Sequence, residues 1–132
     1  GVAGHAGLFA SLQAVEKIAQ TLLLAAAGQS DYLSSKTIDY FTQRQDVLPS
    51  SSRVLGWDTP SENSSCGQYF SAKSFGHTGF TGTSLWIDLE QNSYIALLAN
   101  RIHPNRNNRT FLSFRPQLHD QVVNAMQLSA SI

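Results

Sequence analysis

Phe75-Gly76-His77-Thr78-Gly79-Phe80-Thr81-Gly82-Thr83-Ser84-Leu85-Trp86-Ile87-Asp88 is the stretch that decides the fold. Gly76, Gly79 and Gly82 mark backbone that something approaches closely, either a ligand or another chain segment. Between them stand a His and two Thr, short polar groups suited to hydrogen-bonding a substrate. From Thr83 to Asp88 the residues turn β-branched and aromatic, as a packed strand requires. The stretch therefore reads as a glycine-punctuated edge running into a buried strand over about 76–88.

Downstream, Glu90-Gln91-Asn92 predicts a hairpin turn into a second strand over about 93–100. Residues 101–109 form a polar, Asn-rich loop. Leu118, Val122, Ala125 and Met126 then mark an amphipathic helix, with Pro116 tolerated in its first turn. Upstream, Arg53 to Asp58 is short and apolar, consistent with a strand, and residues 59–65 form a polar loop around Pro60. Residues 67–74 read as a turn or a single helical turn. Earlier still, Leu12, Val15, Ile18, Ala19, Leu22, Leu23 and Ala26 follow helical spacing after a Ser11 N-cap. Gly28 ends that helix near residue 27. Ser34 or Ser35 caps a shorter helix with Ile38, Phe41 and Tyr40 inward. Two helices, antiparallel strands and a final helix make an α+β class. The chain reads as one unit, helical over 1–48, with sheet strands and a C-terminal helix over 53–132.

The 132 residues suffice for one domain with a core. Nine basic and nine acidic residues cancel, and no basic run exists, which argues against nucleic acid and anionic membrane surfaces as partners. A lone cysteine, Cys66, excludes an internal disulfide and reads as an inert thiol in a loop. The longest apolar run, Leu22 to Ala27, is too short to span a bilayer. The first residues lack a signal-peptide pattern.

His77-Thr78-Gly79 resembles the third motif of the serine β-lactamase and penicillin-binding-protein superfamily, usually Lys-Thr-Gly. Gly1-Val2-Ala3-Gly4-His5-Ala6-Gly7-Leu8-Phe9 before a helix resembles a class-C-like, esterase-type branch of it. So does Leu97-Leu98-Ala99-Asn100-Arg101-Ile102-His103-Pro104 after a strand. The resemblance implies an antiparallel sheet with terminal helices packed on one face, beside a helical region. Superfamily members are considerably longer, so the chain is expected to be their C-terminal portion. The resemblance also implies that the His77 strand walls an active site and that Gly79 keeps the substrate slot open. The N–H of Phe80 is then one of two oxyanion donors.

Superfamily members attack with the Ser of a Ser-x-x-Lys motif. Here the residues three before Lys17, Lys36 and Lys73 are Ala14, Leu33 and Phe70, so the motif does not occur. Ser61-Glu62-Asn63 matches the second motif formally, but lies too close to the third and reads as coincidence. The expected activity is acyl-enzyme hydrolysis of a β-lactam, D-Ala peptide or ester by the whole protein, with this chain inactive alone. The rival reading is a non-catalytic module that binds a partner or self-associates through exposed sheet edges, by dimerisation or domain swapping.

His77 is then a substrate-orienting group or a strand-edge His that only bonds backbone. A His suits a substrate carboxylate less well than a charged Lys, which tilts the expectation toward an esterase, amidase or peptidase. Thr78 is a substrate hydrogen bonder or simply a good strand residue. Thr81 is a further substrate contact or, with Gly82, shapes the bend. The Phe80 ring is a pocket wall or core. His5 reaches the site mouth or satisfies a turn. Arg101 and His103 recruit an anion or sit on the rim. No cofactor is implied, and no His or Cys spacing supports a metal. The implied partners are a small-molecule or peptidoglycan-like substrate and the remaining N-terminal polypeptide. The implied location, by resemblance alone, is the periplasm or cell envelope.

Overall fold

A computed structural model describes residues 7–44 and 51–130. In chain order the elements are α1 (Leu12–Ala26), α2 (Ser35–Thr42), β1 (Ser74–Thr78), β2 (Ser84–Asp88), β3 (Ser93–Leu97) and α3 (Thr110–Ala130). The strands form one antiparallel sheet in the order β1-β2-β3, an α+β arrangement.

α1 begins where Ser11 Oγ accepts the Ala14 N–H at 3.3 Å. It ends in a paired cap: Gly28, at φ +71°, donates to Ala25 C=O, and Gln29 donates to Leu24 C=O. Ser34 caps α2 by accepting the Thr37 N–H. Of the α2 residues expected inward only Ile38 is buried; Tyr40 and Phe41 are largely exposed.

The long strand expected over 76–88 is in fact a hairpin. Gly79 donates to Thr83 C=O at 2.8 Å and Gly82 donates to Gly79 C=O at 3.0 Å, so the chain reverses in turn 79–83. Gly82 takes φ +105°, a backbone state that side-chain-bearing residues avoid. β1 and β2 then pair from Thr78↔Ser84 to Ser74↔Asp88. The glycines that read as an approach site thus serve first to fold the strand back. The second hairpin forms where expected, closing on Asp88↔Ser93. The buried Asp88 carboxylate accepts the Glu90 and Gln91 N–H groups and both the hydroxyl and N–H of Ser71.

Residues 53–58 do not make a strand. Val54 donates to Trp57 C=O around Gly56, and only isolated bridges form: Arg53 with Asp58, and Asp58 with Gly76 on the outer edge of β1. Residues 67–73 are irregular, with bends at 68 and 70 and a turn at 72–73, and Ser74 already opens β1.

Neighbouring residues on β2 point to opposite faces. Ile87 joins Phe75 and Ala19 of α1, with Leu22, Leu23 and Trp57 packed around them. Trp86 joins Cys66, Phe70 and Val123 of α3. α1 and α3 therefore cover opposite faces of the sheet. The Trp86 indole lies over Gly76, where any Cβ would collide with the ring and with Leu85 C=O.

α3 starts earlier than expected, which places Pro116 in its second turn. Among its described side chains Arg115, His119 and Val123 are buried, one per turn, while Ala125 and Met126 are exposed. Two of these three are polar, which is why an apolar pattern misplaced the inward stripe. Cys66 is buried, not merely in a loop; burial raises its pKa, against a partial opposing effect of the Ser64 hydrogen bond.

Candidate active site

The candidate site is the margin where β1 runs into turn 79–83. His77 is exposed at this edge. Its Nδ1 lies 2.8 Å from Thr78 C=O and its Nε2 lies 2.8 Å from Arg53 Nη1. A carbonyl only accepts and a guanidinium only donates, so Nδ1 carries the hydrogen and Nε2 offers its lone pair. Arg53, which no sequence motif marked, reaches His77 because the 53–58 loop bridges the outer edge of β1. It also stands 3.9 Å from the Asp58 carboxylate, a long and solvent-open pair.

Thr78 is half-buried, and its hydroxyl makes no hydrogen bond among the described residues. Gly79 lies against its own turn: a Cβ there would strike Thr83 Oγ1. A side chain at this position would therefore have to displace the Thr83 hydroxyl, independently of any substrate. The Phe80 N–H has no backbone acceptor among the described residues, and its ring is 60% exposed. The Arg101 and Arg106 guanidinium carbons stand 5.1 and 5.3 Å from the centroid of that ring. Thr81 is half-buried and accepts the Arg101 N–H at 2.8 Å, tying the loop after β3 to the turn. His103 is exposed on that loop. His5 lies outside the described residues. Ser61, Glu62 and Asn63 line a groove with Gln117 and Asp120 whose lining does not include His77.

Behind the turn, α3 supplies two buried polar side chains that sequence reasoning missed. His119 Nδ1 donates to Ser65 C=O at 3.1 Å, and Ser84 Oγ donates to His119 Nε2 at 3.1 Å. Burial lowers the His119 pKa, only partly offset by the Ser65 hydrogen bond, and the Arg115 charge lowers it further. Arg115 Nη1 donates to Thr83 C=O at 3.2 Å. One helix face thus pins the far end of the turn that presents Phe80. A signal existed in the four-residue spacing of Arg115, His119 and Val123, hidden because two of the three are polar. Among the described residues no cluster of three or more His, Cys, Asp or Glu could hold a metal, and no helix is long and apolar enough to cross a membrane.

The sequence profile of the family described as Beta-lactamase matches residues 1–112. The chain is 36% identical over 107 residues to the N-acetylmuramyl-L-alanine amidase of Bacillus subtilis (strain 168), covering 78% of this chain and 24% of that protein. It is 33% identical over 122 residues to a Salmonella agona (strain SL483) protein named "Putative D-alanyl-D-alanine carboxypeptidase", covering 86% of this chain and 28% of that one. A protein of the same name from Salmonella typhi matches equally well. The chain spans about a quarter of the length of these relatives. No solved structure matches it significantly. The profile takes in all three strands and the His77 margin, and on that ground the chain belongs to the Beta-lactamase family, a serine hydrolase-like family.

Proposed function

We propose that this chain forms the substrate-facing wall and one oxyanion donor of a serine hydrolase, with the attacking hydroxyl supplied by polypeptide outside these residues. The observation that carries the reading is the His77-Thr78-Gly79-Phe80 run on an open sheet margin, its Phe80 N–H without a backbone acceptor among the described residues. In acyl transfer, a serine oxygen adds to a carbonyl carbon and the carbonyl oxygen becomes an oxyanion. The Phe80 N–H, with a second donor, holds that charge. Collapse expels the leaving group and leaves an acyl ester, which water then cleaves. Thr78 and Thr81 hydrogen-bond the substrate, the slot beside Gly79 admits it, and His77, held by Arg53, orients it. The substrate is a D-Ala peptide, a β-lactam or an ester. The names of the relatives favour a cell-wall peptide, and with it the cell envelope or periplasm.

The test is a chimera in which this chain replaces the matching quarter of the Salmonella relative. D-Alanine release from a D-Ala-D-Ala peptide and hydrolysis of a chromogenic β-lactam and ester are measured. The chimera should turn over at least one of them and the 132-residue chain none. Saturable turnover by the chain alone, or a folded but inert chimera, refutes the reading. One observation favours a second reading: β3 is terminal in the sheet, with no strand on its outer edge among the described residues. Such an edge suits self-association through sheet pairing. Size-exclusion chromatography discriminates, since a monomer at all concentrations counts against it.

A further inference from the structure

A groove of about 1050 Å³ runs along the α3 side of the molecule, apart from the His77 margin. Alternation along β1 puts the His77 side chain on the face of Phe75, which α1 covers. The groove instead has α3 as one wall and residues 60–68 as the other. The second wall starts beside the outer edge of β1, where Asp58 bridges Gly76. It ends against α3, where the Gln68 N–H donates to Asp120 Oδ1 at 2.6 Å. Between these ends the backbone is held by its own turns. Ser64 donates to Ser61 C=O at 3.0 Å, and Gly67 donates to Ser64 C=O at 3.3 Å. Gly67 takes φ +90°, and a Cβ on it would strike the Asp120 carboxylate. Arg44 holds the near end, its Nε donating to Thr59 Oγ1 at 2.9 Å and its Nη2 to Pro60 C=O. A groove formed in advance loses little conformational freedom when it binds.

The lining narrows the ligand. Asn63, Gln68 and Gln117 bring carboxamides and Ser61, Ser64 and Ser113 bring hydroxyls, groups that donate and accept at once. Ala72 and Pro116 add apolar surface. Glu62 and Asp120 stand against a single arginine, Arg44, already engaged by Thr59 and Pro60, so a phosphate or carboxylate is disfavoured. The devices that capture peptides are missing from this lining: it has no residue of a strand, no continuous apolar trough and no arginine cluster. Small-molecule sites span about 300–1,000 Å³, so there is room for more than one sugar ring. We propose that this groove binds a short neutral oligosaccharide bearing N-acetyl groups. Its hydroxyls and acetamides pair with the carboxamides and serines, the Asp120 carboxylate accepts from a hydroxyl, and its C–H faces and acetyl methyls rest on Ala72 and Pro116. The site goes beyond the acyl-transfer reading and needs neither the Phe80 N–H nor a nucleophile.

The experiment titrates the β-1,4-linked tetramer of N-acetylglucosamine into the 132-residue chain, followed by backbone and carboxamide NMR. This probe presents hydroxyls, amides and methyls without charge. Its deacetylated counterpart, the cationic glucosamine tetramer, is titrated in parallel at low and high salt. The acetylated tetramer should give saturable shifts centred on residues 61–68 and 113–120, unchanged by salt. Gln117→Ala should weaken it roughly threefold to tenfold, the loss of about one hydrogen bond. Gln117 is exposed on α3 and alanine favours a helix, so this variant should keep its fold. Asp120→Asn, which leaves an oxygen for the Gln68 N–H, should weaken binding comparably; if it does not fold, Gln117→Ala decides alone. The proposal is overturned by no saturable response to the acetylated tetramer, by shifts centred on residues 77–82, or by an unchanged affinity in Gln117→Ala. Salt-sensitive binding of the glucosamine tetramer alone also overturns it, since the carboxylates would then only attract cations.

Discussion

Replacing His119 by alanine should destabilise this protein by about 3–5 kcal/mol, although the residue lies outside the segment matched by the family profile. The imidazole is fully buried and bonds two groups, Ser84 Oγ and Ser65 C=O. Its removal strands both, at about 1–3 kcal/mol each, and leaves a cavity between α3 and the sheet. Against a total of roughly 5–15 kcal/mol for a domain this is a large fraction. The melting temperature should fall by about 10–20 °C. Urea unfolding followed by circular dichroism measures the loss directly. Ser84→Ala supplies the other half of a double-mutant cycle, with a coupling of about 1–2 kcal/mol between the two positions. His119→Gln, which keeps a polar group in place, should recover part of the loss. The pH dependence has a definite sign. The folded pKa of His119 lies below its unfolded value, so the unfolded chain binds the extra proton. The associated stability is fully present above about pH 6.5, the unfolded value, and declines as pH falls from there toward the folded pKa. The wild type should therefore lose stability on acidification through this window more steeply than His119→Gln. His77 and His103 are present in both proteins, so the difference isolates His119. A loss in His119→Ala below about 1 kcal/mol, or strict additivity with Ser84→Ala, would refute the clamp.

Gly76→Ala places a methyl against the Trp86 ring and should cost about 1–3 kcal/mol, read as a lower urea midpoint with altered tryptophan fluorescence; an unchanged midpoint would mean the indole can move aside. Asp88→Asn should cost about 1–3 kcal/mol at pH 7. Burial would raise the Asp88 pKa, but hydrogen bonds from Ser71 and Gln91 outweigh it and hold it below the ordinary value. The stability it brings is therefore present above the unfolded value near about 4 and is lost as pH falls through the folded pKa, so the two proteins should converge in acid. Cys66 should react with a thiol reagent at pH 8 about a hundredfold more slowly when folded than in urea, since burial disfavours the thiolate and blocks access; similar rates would show an opening core.

Local chemistry in the sequence determined much of this protein. Ser11, Gly28 and Ser34 set the helix ends because capping depends only on neighbouring backbone groups. The β-branched and aromatic run ending at Asp88 and the turn at Glu90-Gln91-Asn92 set the second hairpin for the same reason. The His77-Thr78-Gly79 run pointed to the family and to an open sheet margin, since three contiguous residues need no tertiary contact to be recognised. What the sequence could not decide were relations between distant segments. Whether Gly79 and Gly82 bend one strand or reverse it depends on the partner that Thr83 to Asp88 finds, and the partner is β1 itself. Whether residues 53–58 form a strand depends on how much of the β1 edge they cover, which proved to be one residue. That Arg53 meets His77, that Arg101 and Arg106 share the Phe80 ring, and that α3 turns Arg115 and His119 inward are likewise matters of packing. A polar side chain is sequestered only where a folded neighbour supplies its hydrogen-bond partner, and for His119 those neighbours lie 35 and 54 residues away.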